Sequence, residues 1–207
     1  MALIPGMLLS FDDPILGLVP NAIVFQYNPH QVTRVFTPPT RGSTSSGGTS
    51  LSASQPAKEV YSLTLEFDAT DGLEREGPLT IAFGVGPRLA ALEMLMQPVG
   101  QSPLAALVGG LLGGGGTGIP ASKVPLAIFA WGPTRIAPVR LDSLTINETA
   151  FDELLNPIHA SAEVSFTVLR PRDAEGESDF TAAAAVFYQA AREVKALLSL
   201  PQALEQA

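Results

Sequence analysis

Alternation of apolar and polar residues with a period of two runs through several short segments and predicts β-strands. The clearest is 59–68, in which the apolar side chains from Tyr61 to Phe67 point to one face and polar ones to the other. Residues 160–169 alternate in the same way. Residues 124–131 are apolar on both faces, which is typical of a central strand.

Further strands are predicted where short apolar runs lie between turn residues. Residues 22–27 and 32–37 flank an Asn-Pro turn and predict a hairpin, because proline restricts the residue before it to extended backbone. Residues 135–147 predict another strand, whose apolar positions change phase near residues 142–143, and this indicates a β-bulge or a bend. Residues 79–83 are interpreted as a short strand.

Apolar residues spaced three and four apart predict two helices. The first spans 87–97, with a proline in its first turn and another just after its end. The second spans 180–198, is rich in alanine, and carries one apolar stripe. That stripe consists of Phe180, Ala184, Phe187, Ala191, Val194 and Leu198.

These elements predict a mainly β (α+β) protein, an antiparallel β-barrel or sandwich of six or seven strands with one inserted helix and a C-terminal helix. We divide the chain into an N-terminal extension (1–21), a β domain (22–171), and a linker with the C-terminal amphipathic helix (172–207). Within the β domain, 38–57 and 99–122 are rich in Gly and Ser and predict flexible loops. Alternatively, these loops are arms that become ordered against a neighbouring subunit.

Composition narrows the function classes. The chain has 207 residues and a net charge of −8, which argues against nucleic-acid binding. Only 15% of residues are charged, against about 25% in an average domain, which favours a surface partly covered by other subunits. There is no cysteine, so disulfides and thiolate metal sites are excluded. Neither a signal peptide nor a membrane span is predicted.

The residues that carry chemistry in enzymes are sparse. The two histidines, His30 and His159, lack metal-ligand spacing, and no serine lies in a nucleophile-elbow motif. The carboxylates of Asp68 and Asp71 follow a strand, where such residues more often cap the strand end than act as an acid–base pair. The glycine tract 113–116 lacks the ending of a phosphate-binding loop. We therefore expect no enzyme activity, no cofactor and no metal.

Four segments in a fixed order suggest a family. They are F-x-Y-N-P at 25–29, L-x-L-x-F-D at 63–68, P-x-x-x-F-x-W-G at 125–132, and 151–160, which runs from Phe151 through Pro157 to Ala160. Together they resemble the N-terminal domain of tube-type baseplate proteins of contractile injection systems, over 22–170. Many relatives continue into a LysM module, where this sequence has a helix instead.

The resemblance implies a fold of the phage tail-tube type and a structural role. The expected function is a hexameric ring in the baseplate hub, a tube initiator that joins the spike to the inner tube. The implied partners are further copies of the chain, inner-tube subunits, the spike, and baseplate or sheath proteins, with no nucleic acid. The implied location is the bacterial cytoplasm, within a particle that is released in some systems. The predicted partner-contact residues are Phe180, Phe187, Val194 and Leu198.

Three alternatives stay open at this stage. The chain is a tube-end cap or sheath adaptor of the same particle, or a monomeric ligand-binding β-barrel in which 99–122 covers the cavity. The third is a hydrolase whose site is assembled in space around His30 or His159. The position along the tube, the target cell and the cargo are not encoded in any recognisable pattern.

Overall fold

The structure is a computed structural model that describes residues 4–10, 21–38, 57–97, 126–171, 173 and 179–199. Within these ranges the chain forms seven strands and four helices. The strands are β1 (Met7–Ser10), β2 (Asn21–Val24), β3 (Val32–Thr37), β4 (Lys58–Asp68), β5 (Ala127–Ala130), β6 (Ile136–Phe151) and β7 (Pro157–Val168). The helices are α1 (Thr70–Glu74), α2 (Pro78–Phe83), α3 (Gly86–Met94) and α4 (Asp179–Leu197). Apart from their end residues 38 and 57, the two predicted loops lie outside the described residues.

All seven strands form one antiparallel sheet in the order β2-β1-β5-β6-β7-β4-β3. The predicted mainly β class with added helices is therefore confirmed. The predicted closure into a barrel is not found, because no ladder joins the edge strands β2 and β3 in the described part of the chain. After β2, the side chain of Gln26 exchanges two hydrogen bonds with the backbone of Asp68, at 2.8 and 3.1 Å. The segment after β2 is thus bound to the end of β4 by a side chain and not by a backbone ladder.

The predicted hairpin of 22–27 with 32–37 is wrong. Strand β2 pairs with β1 and β3 pairs with β4, so the two strands lie at opposite edges of the sheet. The partner of β2 comes from residues 7–10, in a segment that the sequence analysis assigned to an extension. The Asn-Pro segment also turns towards this strand, since Asn28 accepts from the Gly6 backbone N–H at 2.8 Å and donates to the Ile4 carbonyl at 3.1 Å.

The sheet curls around an aromatic core. Tyr61 on β4 and Phe129 on β5 are separated by three strand intervals, about 14 Å in a flat sheet. Their ring centroids are nevertheless 5.3 Å apart, and Phe166 on β7 lies 4.8 Å from Phe129. All three side chains have no exposed surface. The concave face is therefore filled by packed rings.

The strongest strand patterns are confirmed. In β4 the side chains of Tyr61, Leu63, Leu65 and Phe67 are buried, as their alternation predicts. Strand β5 lies between β1 and β6, which is the central position expected from its apolar faces. The β6–β7 register shifts between Leu141 and Ser143, so the predicted bulge is present. A bulge bends its strand, and here it lies where the sheet curls.

The connection between β4 and β5 is more helical than predicted. Helix α3 confirms the predicted 87–97 helix, with Leu89 and Leu92 buried. The predicted strand 79–83 is wrong, because 78–83 forms α2, which starts at Pro78 and is followed by Gly84. A short apolar run fits either structure, and a proline in the first helical turn decides here for the helix. Of the helices in the described ranges, none has the length and apolarity that crossing a bilayer requires.

Candidate assembly surfaces

Helix α4 is attached to the sheet by a buried tyrosine. Tyr188 is 5% exposed and belongs to the hydrophobic core. Its hydroxyl group donates to Glu59 Oε1 over 2.9 Å and lies 2.8 Å from the hydroxyl group of Tyr61 on β4. Because Tyr188 has one proton and gives it to Glu59, Tyr61 is the donor between the two phenols. The helix is thereby joined to the core by both packing and hydrogen bonds.

Glu59 is the centre of this attachment. Its side chain is 4% exposed, and Arg34 of β3 donates to its Oε1 from Nε at 3.0 Å and from Nη2 at 2.6 Å. Arg192 of α4 donates from Nη1 to Oε2 over 3.0 Å. A buried carboxylate is tolerated only where cations and hydrogen bonds replace its hydration. Glu59 therefore ties β3, β4 and α4 together.

Aromatic rings complete the cluster. The guanidinium of Arg34 lies 5.0 Å from the ring centroid of Phe36 and 5.3 Å from that of Tyr61, and Arg192 lies 5.2 Å from Phe36. Burial raises the pKa of Tyr188 and that of Tyr61, so both phenols stay protonated at neutral pH. In the described residues, no buried side-chain nitrogen or oxygen lacks a hydrogen-bond partner. These observations favour a structural role for the cluster, in holding α4 on the sheet, over a catalytic one.

The predicted contact residues lie on the outer side of this helix. Phe187, Val194 and Leu198 are 48%, 55% and 58% exposed. Phe180 is part of α4, but its side chain lies outside the described residues. Of the other described stripe residues, Ala184 is buried and Ala191 is half-buried. The three described large side chains remain predicted contact residues.

The face that packs on the sheet was missed by sequence reasoning. It consists of Thr181, Ala184, Ala185 and Tyr188, which are all buried. Counted from Thr181, the other three follow after three, four and seven residues, which is helical spacing. Three of the four side chains are small or polar, so the pattern of large apolar residues in the sequence pointed to the other face. The available signal was Tyr188, an aromatic residue with a polar end that follows Phe187 in an alanine-rich run. Helix α4 is therefore apolar on two different faces.

We call the outer surface of this helix the α4 face. It consists of Val186, Phe187, Val194, Leu197 and Leu198, which are between 48% and 75% exposed. At 100° per residue these positions lie within an arc of about 120°, as wide as the stripe by which a helix usually packs on a core.

A second exposed apolar surface lies at the turn between β6 and β7. Leu154 and Leu155 are each 78% exposed, and Phe151 is 48% exposed. The turn is held by Asp152, whose Oδ1 accepts from the backbone N–H groups of Leu154 and Asn156, each at 2.8 Å. The side-chain hydrogen bond from Asn156 lowers the pKa of Asp152. The leucines are therefore presented on an ordered turn.

Leu155 also has an unfavourable backbone conformation. Its φ is 64°, in the left-handed region where a leucine costs about 1–2 kcal/mol. Since the side chain is 78% exposed, its burial in this subunit contributes little to offset that cost.

Helix α2, next to this turn, carries three further exposed apolar side chains. Leu79, Ile81 and Phe83 are 71%, 52% and 53% exposed. The joint between α2 and α3 lies against the start of β7, where Val85 donates to the Pro157 carbonyl over 2.8 Å. A Cβ added at Gly84 would lie 2.1 Å from that carbonyl oxygen, so only glycine permits the contact. The apolar end, as we name it, consists of Leu79, Phe83, Phe151, Leu154 and Leu155; Ile81 lies on the other side of α2.

The two edges of the sheet are also open. Strand β3 pairs only with β4, and β2 pairs only with β1, in the ladders that the described residues form. Along β3, Val35 and Phe36 are 49% and 45% exposed, and Val24 of β2 is 49% exposed. An open edge with apolar side chains is a template for pairing with another chain.

Of the residues considered for catalysis, Asp68 and His159 are cross-strand partners, and His159 Nε2 lies 3.8 Å from Glu66 Oε2. His159 Nδ1 lies 2.9 Å from Thr149 Oγ1, and His30 is exposed in the segment after β2. Asp68 accepts from the Thr70 backbone N–H at 2.7 Å, and its hydrogen bonds with Thr70 lower its pKa. In the ranges that the structure covers, no three His, Asp or Glu side chains are grouped to hold a metal ion.

The four sequence segments that suggested a family are connected through Phe25 and Gln26. Phe25 lies 6.4 Å from both Phe129 and Trp131, measured between ring centroids. Gln26 binds the backbone of Asp68, which is paired with His159 of the fourth segment. The first segment therefore contacts the second and the third, and the second is paired with the fourth.

No family model and no curated protein matches this chain.

Proposed function

We propose that the chain is a structural subunit of a phage-tail-like contractile injection particle. In this proposal it forms a ring, hexameric as the resemblance implies, in the baseplate hub, where it joins the spike to the inner tube and initiates tube assembly. Its partners are further copies of itself, inner-tube subunits, the spike, and baseplate or sheath proteins. It is assembled in the bacterial cytoplasm, and it acts mechanically, without a cofactor or a catalytic site.

The observation that carries this proposal is helix α4, which is apolar on both of its faces. One face packs on the sheet through Tyr188, and the other leaves Phe187, Val194 and Leu197 exposed. A helix that is apolar nearly all round is normally buried on all sides. The open sheet edges and the apolar end add surface of the same kind. A protein that works as a free monomer has no use for three such surfaces.

The family assignment in the proposal depends on the resemblance. Its support is that Phe25, Phe129 and Trp131, from two of the four segments, pack against each other, and that the other two segments join the same region. The single antiparallel sheet with helices is compatible with a tube-type fold.

A monomeric ligand-binding barrel is the alternative of a different class. It requires a cavity on the concave face of the sheet. In the described residues that face is filled by Tyr61, Phe129 and Phe166, which contact one another and are fully buried. This packing favours the structural role. A tube-end cap or sheath adaptor in the same particle would use the same surfaces and differ only in position.

Electron microscopy of the purified protein tests the proposal. The protein is imaged in negative stain alone, with tube subunits and with spike protein, and its mass is measured under each condition. We expect rings as wide as a tail tube, at least when a partner is present. A protein that stays monomeric and binds neither partner refutes the proposal. Rings that join only the distal end of preformed tubes indicate the cap position instead.

A further inference from the structure

The ladder between β3 and β4 is interrupted beside a cleft. Strand β3 begins only at Val32, although its partner β4 continues to Asp68. The chain before β3 bends away from β4, and residues 27–31 line a cleft of about 680 Å³ that is lined on the β4 side by Thr64 and Glu66. This volume is typical of cavities that hold small ligands. The cleft therefore lies beside the part of β4 that β3 leaves unpaired.

The hydrogen bonds at the end of β4 show which backbone groups face this cleft. Asp68 binds the side chain of Gln26 through its N–H and its carbonyl, whereas the Ala69 N–H donates to a carbonyl of β7 over 2.8 Å. In an antiparallel sheet, successive residues of a strand direct their backbone groups to opposite sides. Counting back from Asp68, the N–H and carbonyl groups of Glu66 and Thr64 therefore point away from β7 and towards the cleft.

Pro29 gives a reason for the interruption. If the register of β3 with β4 continued, Pro29 would lie opposite Glu66. Proline has no N–H group and cannot complete that pair. Gln31, which would lie opposite Thr64, is also outside the ladder. In the described residues, the backbone groups of Thr64 and Glu66 on this side make no hydrogen bond, so two successive pairs of the ladder are missing.

The next position along β4 shows what chemistry fits such a gap. The carboxamide of Gln26 accepts from the Asp68 N–H at 3.1 Å and donates to its carbonyl at 2.8 Å, as a residue of a neighbouring antiparallel strand does. Arg88 donates to Gln26 Oε1 at 2.5 Å and holds the carboxamide in place. Thr64 and Glu66 present the same donor and acceptor pair, about 6.8 Å apart, which is the repeat of alternate residues in an extended chain.

We propose that this cleft binds a short extended segment of a partner protein, which adds to β4 between β3 and Gln26. Two residues of the segment, separated by one other, exchange backbone hydrogen bonds with Glu66 and Thr64, and such main-chain bonds supply the affinity of strand addition. The segment runs antiparallel to β4, as β3 does. The proposal concerns a single subunit; it goes beyond the proposed ring and does not depend on it.

The neighbouring side chains define the residues that suit the segment. The carboxylate of Glu66 is 45% exposed, and a lysine opposite it forms a cross-strand ion pair. The next residue lies opposite Leu65, whose side chain is buried, so an apolar side chain suits that position. The third lies opposite the exposed Thr64, beside which a threonine pairs well. The expected order is basic, apolar, threonine.

Nuclear magnetic resonance tests this on the full chain with the peptide acetyl-Ala-Lys-Val-Thr-Ala-amide. The matched control is the same peptide with N-methyl groups on the backbone nitrogens of its Lys and Thr, which keeps the side chains and removes the two donors. The backbone amide signals of Thr64 and Glu66 report on the cleft. Those of Arg34 and Phe36 report on the open outer edge of β3, because their neighbours Thr33 and Val35 face β4.

We expect the Thr64 and Glu66 signals to shift, and their hydrogen exchange to slow roughly tenfold when the peptide is at about ten times its measured Kd. The N-methylated peptide should bind about tenfold more weakly or less, since two hydrogen bonds are lost. Equal binding of the two peptides, or no binding of either at millimolar concentration, overturns the proposal. Shifts confined to Arg34 and Phe36 overturn it too, because the peptide then adds to the outer edge.

A proline substitution checks the same geometry from the side of the protein. Glu66→Pro removes an N–H that makes no bond in the fold, whereas Leu65→Pro removes one that faces the paired residue Ala162 of β7. Glu66→Pro should therefore unfold at a higher urea concentration than Leu65→Pro and bind the peptide about tenfold more weakly than the native protein. Equal destabilisation by the two prolines refutes the assigned direction of the β4 backbone groups. A folded Glu66→Pro variant with native affinity refutes the site.

Discussion

Replacing the buried carboxylate of Glu59 is the sharpest test of how α4 is held. Glu59→Gln keeps the size of the side chain but removes its charge and turns one acceptor into a donor. That donor then faces the guanidinium of Arg34 or Arg192, which both donate to the carboxylate in the native protein. The substitution therefore leaves two cations without their counter-ion and one hydrogen bond replaced by a repulsive contact.

The expected loss of stability depends on how deeply the carboxylate and the two guanidinium groups are buried. Removing one partner of a fully buried pair costs about 3–5 kcal/mol. Here the carboxylate is 4% exposed, whereas Arg34 and Arg192 are 32% and 42% exposed and keep part of their hydration. The hydrogen bonds that persist to the amide are worth about half of charge-assisted ones. We therefore expect the free energy of unfolding to fall by about 2–3 kcal/mol.

Urea unfolding measures this change, with Glu163→Gln as the matched control. Glu163 is an exposed glutamate on the outer face of β7, so its replacement should change stability by less than about 0.5 kcal/mol. The Glu59→Gln midpoint should fall by about 1 M. In Glu59→Gln, amide hydrogen exchange should accelerate, relative to the native protein, more in 179–197 than in β4. Equal midpoints for the two variants would refute the conclusion that Glu59 fastens α4.

Three further predictions test other parts of the argument. Gly84→Ala should lower the free energy of unfolding by about 2–4 kcal/mol, because the added Cβ would collide with the Pro157 carbonyl. Gly86→Ala is the control, since its Cβ would lie in open space, and it should be neutral or stabilising. Equal effects of the two substitutions in chemical denaturation would contradict the Gly84–Pro157 contact. Leu155→Asn should raise the free energy of unfolding by about 0.5–1 kcal/mol, because asparagine tolerates the left-handed backbone conformation of this position better than leucine. The same variant should self-associate more weakly in sedimentation experiments. Unchanged self-association would show that Leu155 is not part of an interface. Burial raises the pKa of Tyr188 above its usual 10.0, so its contribution to stability is present below pH 10 and is lost as the pH rises further. Tyr188→Phe should therefore be less stable at neutral pH but lose less stability between neutral pH and pH 11, and parallel pH profiles would contradict this assignment.

The exposed α4 face also changes how the C-terminal helix should be tested. Deleting 179–207 would remove Tyr188 from the core and leave Glu59 and Tyr61 uncovered, so a loss of assembly would not identify a contact. Substituting Phe187 or Val194 changes only exposed surface and leaves the fastening in place. Assembly measured on such variants separates docking from folding.

Much of the local structure follows from the sequence alone. The period-two pattern of β4 and β7, the phase change that marks the bulge in β6, and the helical spacing of α3 and α4 all depend on which side chains face the core. Those preferences are set by neighbouring residues, so a local pattern contains them. The short run 79–83 was ambiguous for the same reason, since its few apolar residues fit a strand and a helix equally well.

Partners that are distant in the chain were decided only by the tertiary structure. Strand β2 pairs with residues 7–10 rather than with β3, because a ladder depends on which backbone edge is brought close, and no side-chain pattern records that. Helix α4 packs through Tyr188 rather than through Phe187, because Glu59, Arg34 and Tyr61 converge from two strands to receive it. The sequence determined that α4 is amphipathic; the three-dimensional arrangement of polar partners determined which face it buries and which it leaves exposed.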